Sequence, residues 1–382
     1  MIKRIIIIAV NALCLIAFII CLSISASIQS ALLSQNAANV WAGQSGERFS
    51  QLSVFFPASH HFDEQSLHEV RSSINSSLLQ ASLESTPHRV LHTDGWSTNA
   101  EVTVLYNRGQ GRVNVNAIAV GGDFFLFNPL RLRDGSYLSS NDIMHDRVVI
   151  DEELAWRLFG AVHVAGFEIY INYRPFFVAG VVARENDFAS ERAYTYGAGL
   201  FMSFDMLMEM THGEANISHY SIVLPDPVTG FAYDTVTEAI SDSSVHIVEN
   251  STRFSLANSF SRIGAFGERS MRTDSIALPY WENAARIVED WVALLLVFSL
   301  FFLAFPVICA IIYGIILIRF LLKLGKASLI KKIDERDKRK YKEYIYEHGL
   351  KDEVYDIDDN EYYDDDYDID VDEIIREISD DN

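Results

Sequence analysis

His60 and His61, followed closely by Asp63 and Glu64, are side-chain types that hold a divalent metal. Paired histidines in a loop ahead of a helix are more often solvated polar residues, and that is the expectation here. The run Asn107-Arg108-Gly109-Gln110-Gly111 has the glycine content of a phosphate cradle. A cradle needs a helix N-terminus directly after the loop. A strand pattern follows instead, so the run is expected to be a hairpin turn. Asp356-Ile357-Asp358-Asp359-Asn360 has the spacing of a calcium loop, but Glu361 stands where the sixth-position glycine is required. Tyr194-Thr195-Tyr196-Gly197-Ala198-Gly199 can be read as a ligand loop, or as the lead into a strand at Leu200-Phe201-Met202. The chain has no Gly-x-Ser-x-Gly, His-Glu-x-x-His or Walker-type motif. No catalytic, cofactor-binding or metal-binding residue is therefore expected, and no enzyme.

The bulk properties point away from nucleic acid. The net charge is −21, and most of it lies in residues 352–382, where Arg376 is the only base. Binding nucleic acid takes clustered Lys and Arg to replace phosphate counterions. The three cysteines, Cys14, Cys21 and Cys309, all fall within apolar segments. The region between those segments can hold neither a disulfide nor a thiolate metal site.

The apolar segments are the elements that position everything else. The first runs over residues 5–28 and carries no charge. About 20 apolar residues span a bilayer as a helix. The Ser25-Ala26-Ser27 stretch resembles a signal-cleavage site, but a signal core is only about 7–15 residues long, so an uncleaved helix is expected. The second segment, residues 291–318, is also uncharged, and Pro306 in its middle is expected to kink it. Lys3 and Arg4 precede the first segment; Arg319 and Lys323, then Lys326, Lys331 and Lys332, follow the second. Basic residues stay on the cytoplasmic side. Both termini are then cytoplasmic and residues 31–288 extracytoplasmic, with Trp291 as an interfacial anchor.

Between the helices the pattern is α+β. Strands are expected at 51–56, 89–92, 101–106, 112–120, 147–150, 167–171, 176–182, 219–224 and 245–248. Asp63 is a candidate N-cap, with Phe62 and Leu67 as a hydrophobic staple. Leu67, Val70, Ile74 and Leu78 form one apolar helix face. Helices are also expected at 152–158, ended by Gly160, at 228–240, and from Pro279 onward without a break into the second apolar segment. Strand–helix–strand at both ends, with a β-rich insertion at about 126–212, gives two lobes.

Residues 117–206 resemble the MacB-like periplasmic core domain of ABC transporter permeases (MacB/FtsX type). The resemblance rests on Gly121-Gly122-Asp123-Phe124-Phe125, on Leu132-Arg133-Asp134-Gly135-Ser136-Tyr137-Leu138, where Ser136 replaces the usual Arg, and on Leu154-Ala155-Trp156-Arg157-Leu158-Phe159-Gly160. Gly166-Phe167-Glu168-Ile169 and Phe177-Val178-Ala179-Gly180-Val181-Val182 continue it in order. Gly135, Leu154, Ala155, Phe159, Gly160, Gly166 and Gly180 are its motif residues, with structural roles. The resemblance implies porter-like and sabre-like lobes, no extracytoplasmic chemistry, no cofactor, and a separate ABC ATPase with other permease subunits as partners in a bacterial plasma membrane. Family permeases usually have four membrane helices; two are expected here, at 1–30 and 289–320. Residues 321–382 form a basic and then acidic cytoplasmic tail. Its acidic part is expected to be disordered, and its functional reading, set against a merely solvated run, is a docking strip for a basic partner. A short amphipathic helix through Val371, Ile374, Ile375 and Ile378 is expected to form on binding.

Overall fold

The structure, a computed structural model, describes residues 2–84, 90–106, 111–139, 142–194, 199–265 and 276–348. The turn at 107–110, the loop at 195–198 and the acidic tail therefore lie outside the described residues. The chain opens with helix α1 (Ile2–Ser30), a 3-10 turn (Leu33–Gln35) and short α2 (Ala37–Ala42). Then come β1 (Phe49–Phe55), α3 (Glu64–Gln80), β2 (Thr93–Tyr106), β3 (Gly111–Gly122), α4 (Phe124–Phe127) and β4 (Arg131–Gly135). The middle of the chain contributes β5 (Arg147–Asp151), α5 (Glu152–Phe159), β6 (Glu168–Ile171), β7 (Arg174–Ala183), α6 (Phe188–Ala193), β8 (Gly199–Ser203) and α7 (Phe204–Met210). The last elements are β9 (His219–Pro225), α8 (Phe231–Ile240), β10 (His246–Glu249), α9 (Leu256–Gly264) and the long α10 (Tyr280–His348).

The fold is α+β. One lobe is a split β-α-β pair. Its strands lie in the order β10-β1-β9-β2, all neighbours antiparallel, with α3 and α8 as the crossovers. Asp63 caps α3 by accepting from Ser66 N at 2.9 Å. The face Leu67, Val70, Ile74 and Leu78 is buried, and Phe62 with it. Each such side chain contributes about 1.5–3 kcal/mol on burial. Arg71 on α3 donates to both oxygens of Asp94 on β2, at 2.6 and 2.7 Å, and the Tyr220 hydroxyl of β9 donates to the same carboxylate at 3.0 Å.

The second lobe closes on itself. β2 pairs with β3, β3 with β8, β8 with β5, β5 with β7, β7 with β6, and β6 with the far end of β2. Six strands thus form a ring, with β4 added outside on β7. The β-rich insertion does not stand apart: two of its six staves are β2 and β3. β2 belongs to both lobes, pairing with β9 through Thr93–Ser97 and with β6 through Val104 and Leu105. One hydrophobic core runs from Leu52 and Ile74 in the first lobe to Ile150, Leu154 and Phe176 in the second.

Several boundaries differ from expectation, each for a physical reason. The strand expected at 89–92 starts at Thr93 instead and is continuous with the one expected at 101–106; Arg89 lies outside the described residues. The helix expected from 228 begins at Phe231, because Gly230 takes φ +93°, which breaks a right-handed helix. The turn between β6 and β7 needs only Asn172 and Tyr173, both at positive φ (+49° and +69°), as a tight type I′ hairpin requires. Gly135 and Gly180 face each other across β4 and β7. A Cβ on Gly135 would lie 2.1 Å from the Ala179 carbonyl oxygen, and one on Gly180 would lie 2.4 Å from that of Ser136. Gly160 ends α5 in the left-handed conformation (φ +66°) with open space around it.

These two glycines separate strain from crowding. Gly160→Ala is expected to cost about 1–2 kcal/mol from the left-handed backbone alone. Gly135→Ala is expected to cost clearly more, because the strand pair must also part. Thermal unfolding of the two variants in detergent checks the ranking; equal losses would contradict the close approach.

Candidate functional site

The site is the first three turns of α10, where the domain grips the helix that continues into the second apolar segment. Pro279 accepts from Asn283 N at 3.1 Å and opens the helix. Successive residues then reach different neighbours. Tyr280 stacks on Tyr194, just past α6, with centroids 4.3 Å apart and planes 22° apart. The Tyr194 hydroxyl donates to Glu185 at 2.9 Å, and Arg184 lies over the Tyr194 ring at 5.1 Å. Burial pushes the Glu185 carboxyl above its usual range. A cavity of about 100 Å³ adjoins these rings, lined also by Asp151 and Trp281. Trp281 meets Phe124 and His219 edge-on, at 5.5 and 5.3 Å.

On the charged side, Arg253, just past β10, is the hub. Its guanidinium donates to both Glu282 oxygens at 2.6 and 2.8 Å and to Glu289 at 2.6 Å. It also reaches Gln35 at 3.3 Å, which ties in the segment after α1. Arg286 adds a bond to Glu282 at 3.1 Å, and Arg262 lies 3.7 Å from Glu289. Arg253, Glu282 and Glu289 are all buried. Burial opposes the charge on Glu282, but Arg253 and then Arg286 outweigh it and hold its carboxyl below the ordinary range. Arg253 is likewise held above its ordinary value, since Glu282 and Glu289 outweigh the burial. On the third side Ala284, Ala285, Val288 and Val292 pack against Leu32 and against Ala189 and Ala193 of α6. Both lobes and the chain leaving α1 thus hold one stretch of α10.

A profile of the MacB-like periplasmic core domain matches residues 5–245, more than half of the chain. The chain belongs to the MacB-like periplasmic core domain family. Among solved structures, this MacB-like chain is similar to the periplasmic region of MacB from Actinobacillus actinomycetemcomitans. They share 18% identity over 53% of this chain and 89% of that one, with a TM-score of 0.39. It is also similar to the extracellular domain of the noncanonic ABC-type transporter YknZ from Gram-positive bacteria. There the identity is 13%, over 52% of this chain and 99% of that one, with a TM-score of 0.35. None of the curated proteins compared matches it. α1 and α10 are long and apolar enough to cross a membrane. The MacB-like chain is a membrane protein with an extracytoplasmic domain.

The residues that carried the resemblance lie in or against the ring lobe. Leu154 and Ala155 are buried under it, and Phe159 meets Phe167 edge-on at 5.4 Å. Gly166 takes φ +86° and donates its N–H to the Val178 carbonyl at 2.7 Å. Trp291 is partly exposed and lies edge-on to Phe188 of α6 at 5.3 Å. Pro306 lies inside α10. Lys3, Arg4, Arg319 and Lys323 are exposed on their helices. His60 and His61 do not converge: His60 pairs with Asp242 at 2.8 Å, and His61 lies 3.7 Å from Asp63. Among the described residues no group of three or more His, Cys, Asp and Glu is placed to hold a metal. Sequence reasoning missed the residues that hold α10. The readable signal was Glu282, Arg286 and Glu289, a charged stripe at helical spacing just ahead of the second apolar segment.

Removing Arg253 leaves two carboxylates buried without their cation, a loss of about 3–5 kcal/mol for a broken buried pair. Arg253→Met is expected to lower stability by that amount in urea unfolding of the purified chain, and Arg262→Met by far less. A second prediction concerns His219, whose ring nitrogens lie 3.2 and 2.9 Å from the hydroxyls of Ser97 and Ser221. Burial pushes it down to about 3, against the opposing pull of Glu282. The folded chain keeps this ring neutral, while the unfolded chain takes up a proton near pH 6.5. Its contribution is complete above pH 6.5 and is lost as pH falls from there toward 3, by at most about 1.4 kcal/mol per pH unit. Unfolding free energy measured against pH should lose that slope in His219→Gln.

Proposed function

We propose that the chain is a non-catalytic, permease-like subunit of an ABC transporter assembly in a bacterial plasma membrane. It relays motion between its extracytoplasmic domain and a cytoplasmic ATPase partner, with both termini in the cytoplasm and further permease subunits completing the assembly. One observation carries this reading: the helix that both lobes grip at Tyr280–Val292 is the helix that continues as the second apolar segment. A helix transmits axial shift and rotation along its length, because its backbone hydrogen bonds leave little slack. The buried ion cluster fixes its rotation against the domain, a role in which buried charges add specificity rather than stability. Lys3 and Arg4 in the first turn of α1, and Arg319 and Lys323 past the span, support the orientation. Membership of the MacB-like family supports the assignment to transporter permeases.

The strongly acidic composition of residues 352–382 favours a second reading, an adaptor that recruits a basic cytoplasmic protein. Purification of the full-length chain in mild detergent from its own host, with mass spectrometry of what accompanies it, separates the two. The transporter reading expects an ABC ATPase in near-stoichiometric amount, and Arg253→Met that retains this ATPase but weakens the effect of the extracytoplasmic domain on ATP hydrolysis. Recovery of a basic partner that depends on residues 352–382, with no ATPase, would leave the adaptor.

A further inference from the structure

α9 turns the usual amphipathic arrangement inside out. In a water-exposed helix the apolar side faces the protein and the polar side faces out. Here the polar Ser259 is buried, at 5% exposure, and Arg262 reaches inward to Glu289. The apolar Leu256 and Phe260 point outward, 70% and 51% exposed. They are four positions apart and so form one continuous apolar ridge, with Asn258 on the opposite side of the helix wheel.

The height of α9 is fixed by its contacts. The chain enters it from Arg253, which is bonded to Glu289, and Phe254 between them packs into the cluster of Leu32, Val288 and Val292. Glu289 is two residues, about 3 Å of helix rise, before Trp291, where the uncharged segment begins. From there α10 presents exposed Leu294, Val297 and Phe298. The ridge of α9 therefore lies at about the level along α10 where the uncharged segment begins.

We propose that α9 is an interfacial helix, with Leu256 and Phe260 seated at the headgroup–acyl boundary of the outer leaflet. The lipid surface is then a further support for the grip on α10: α9 is fastened to Glu289 on one side and to the bilayer on the other. The inference rests on the reading of α10 as a membrane span. A helix that lies in the interface buries its apolar face a few ångströms below the headgroups while its polar side stays out of the acyl region. α9 meets that pattern, with Ser259 and Arg262 turned to the protein and Asn258 exposed on the side away from the ridge.

The test uses the full-length chain with Cys14→Ser, Cys21→Ala and Cys309→Ser, reconstituted in phosphatidylethanolamine–phosphatidylglycerol vesicles. Single cysteines carry a nitroxide label in Leu256→Cys, Phe260→Cys and Asn258→Cys, and in Phe301→Cys as a mid-span reference. Access of molecular oxygen and of a water-soluble nickel chelate is measured by power saturation. The proposal expects oxygen access to exceed nickel access severalfold at 256 and 260, with the order reversed at 258. Nickel access at 256 and 260, with oxygen preference kept at 301, overturns this proposal and leaves the membrane span standing. Exclusion of both reagents at 256 and 260 also overturns it, by showing a protein cover, whether residues 266–275 or a second copy. Loss of oxygen preference at 301 overturns the membrane reading and this proposal with it.

Discussion

The junction of domain and helix depends on a single guanidinium. Arg253 cannot give up its proton in the interior, and its planar fork can donate in several directions at once. Glu282 and Glu289 lie seven positions apart, two helical turns on one face, so a single side chain can bridge them only at one height and one rotation of α10. Apolar residues of the same volume would pack as stably or more so. What charge adds is discrimination: a helix turned by one residue would strand two carboxylates and a cation away from water. The remaining contacts, Tyr280 on Tyr194 and the alanine seam against α6, then have a fixed geometry to fill.

Local features of the sequence gave away local parts of the fold. α3 was readable because its cap, its staple and its apolar face all lie within one short stretch and agree with each other. The hairpin of β6 and β7 was readable from its strands, and its turn is confined to Asn172 and Tyr173, with a tyrosine in a left-handed position. β2 was half hidden. Its first residues include Asp94, Ser97 and Gly95, poor strand formers, and are explained only by what they meet: Arg71 and Tyr220 at Asp94, and the backbone of Phe124 too close to Gly95 for any side chain. α6, α7 and α9 are too short for periodicity to stand out.

The junction itself was nearly silent in the sequence. Arg253 lies 29 and 36 positions from the two glutamates it bridges, and nothing in its immediate surroundings marks it. Tyr194 stood out only as the start of a candidate ligand loop, not as the stacking partner of Tyr280. Such contacts are properties of topology, since only the return of β10 and the end of α6 to the base of the domain bring them to one helix. By contrast, the residue type at Gly135 and Gly180 is set by their immediate neighbours, because tight backbone approach leaves no room for a Cβ.

The ring of six strands shares β2 with the split lobe, and this bears on how the two lobes can move. β2 is hydrogen-bonded to β3 along nearly its whole length, and on its other flank to β9 at one end and to β6 at the other, so swinging it as a door hinge would tear one of these ladders. Its soft mode is twist, to which every peptide of a sheet contributes a small increment. The β2–β3 ribbon is therefore a torsion bar. Displacement of one lobe reaches the other as a distributed wind-up, restored elastically.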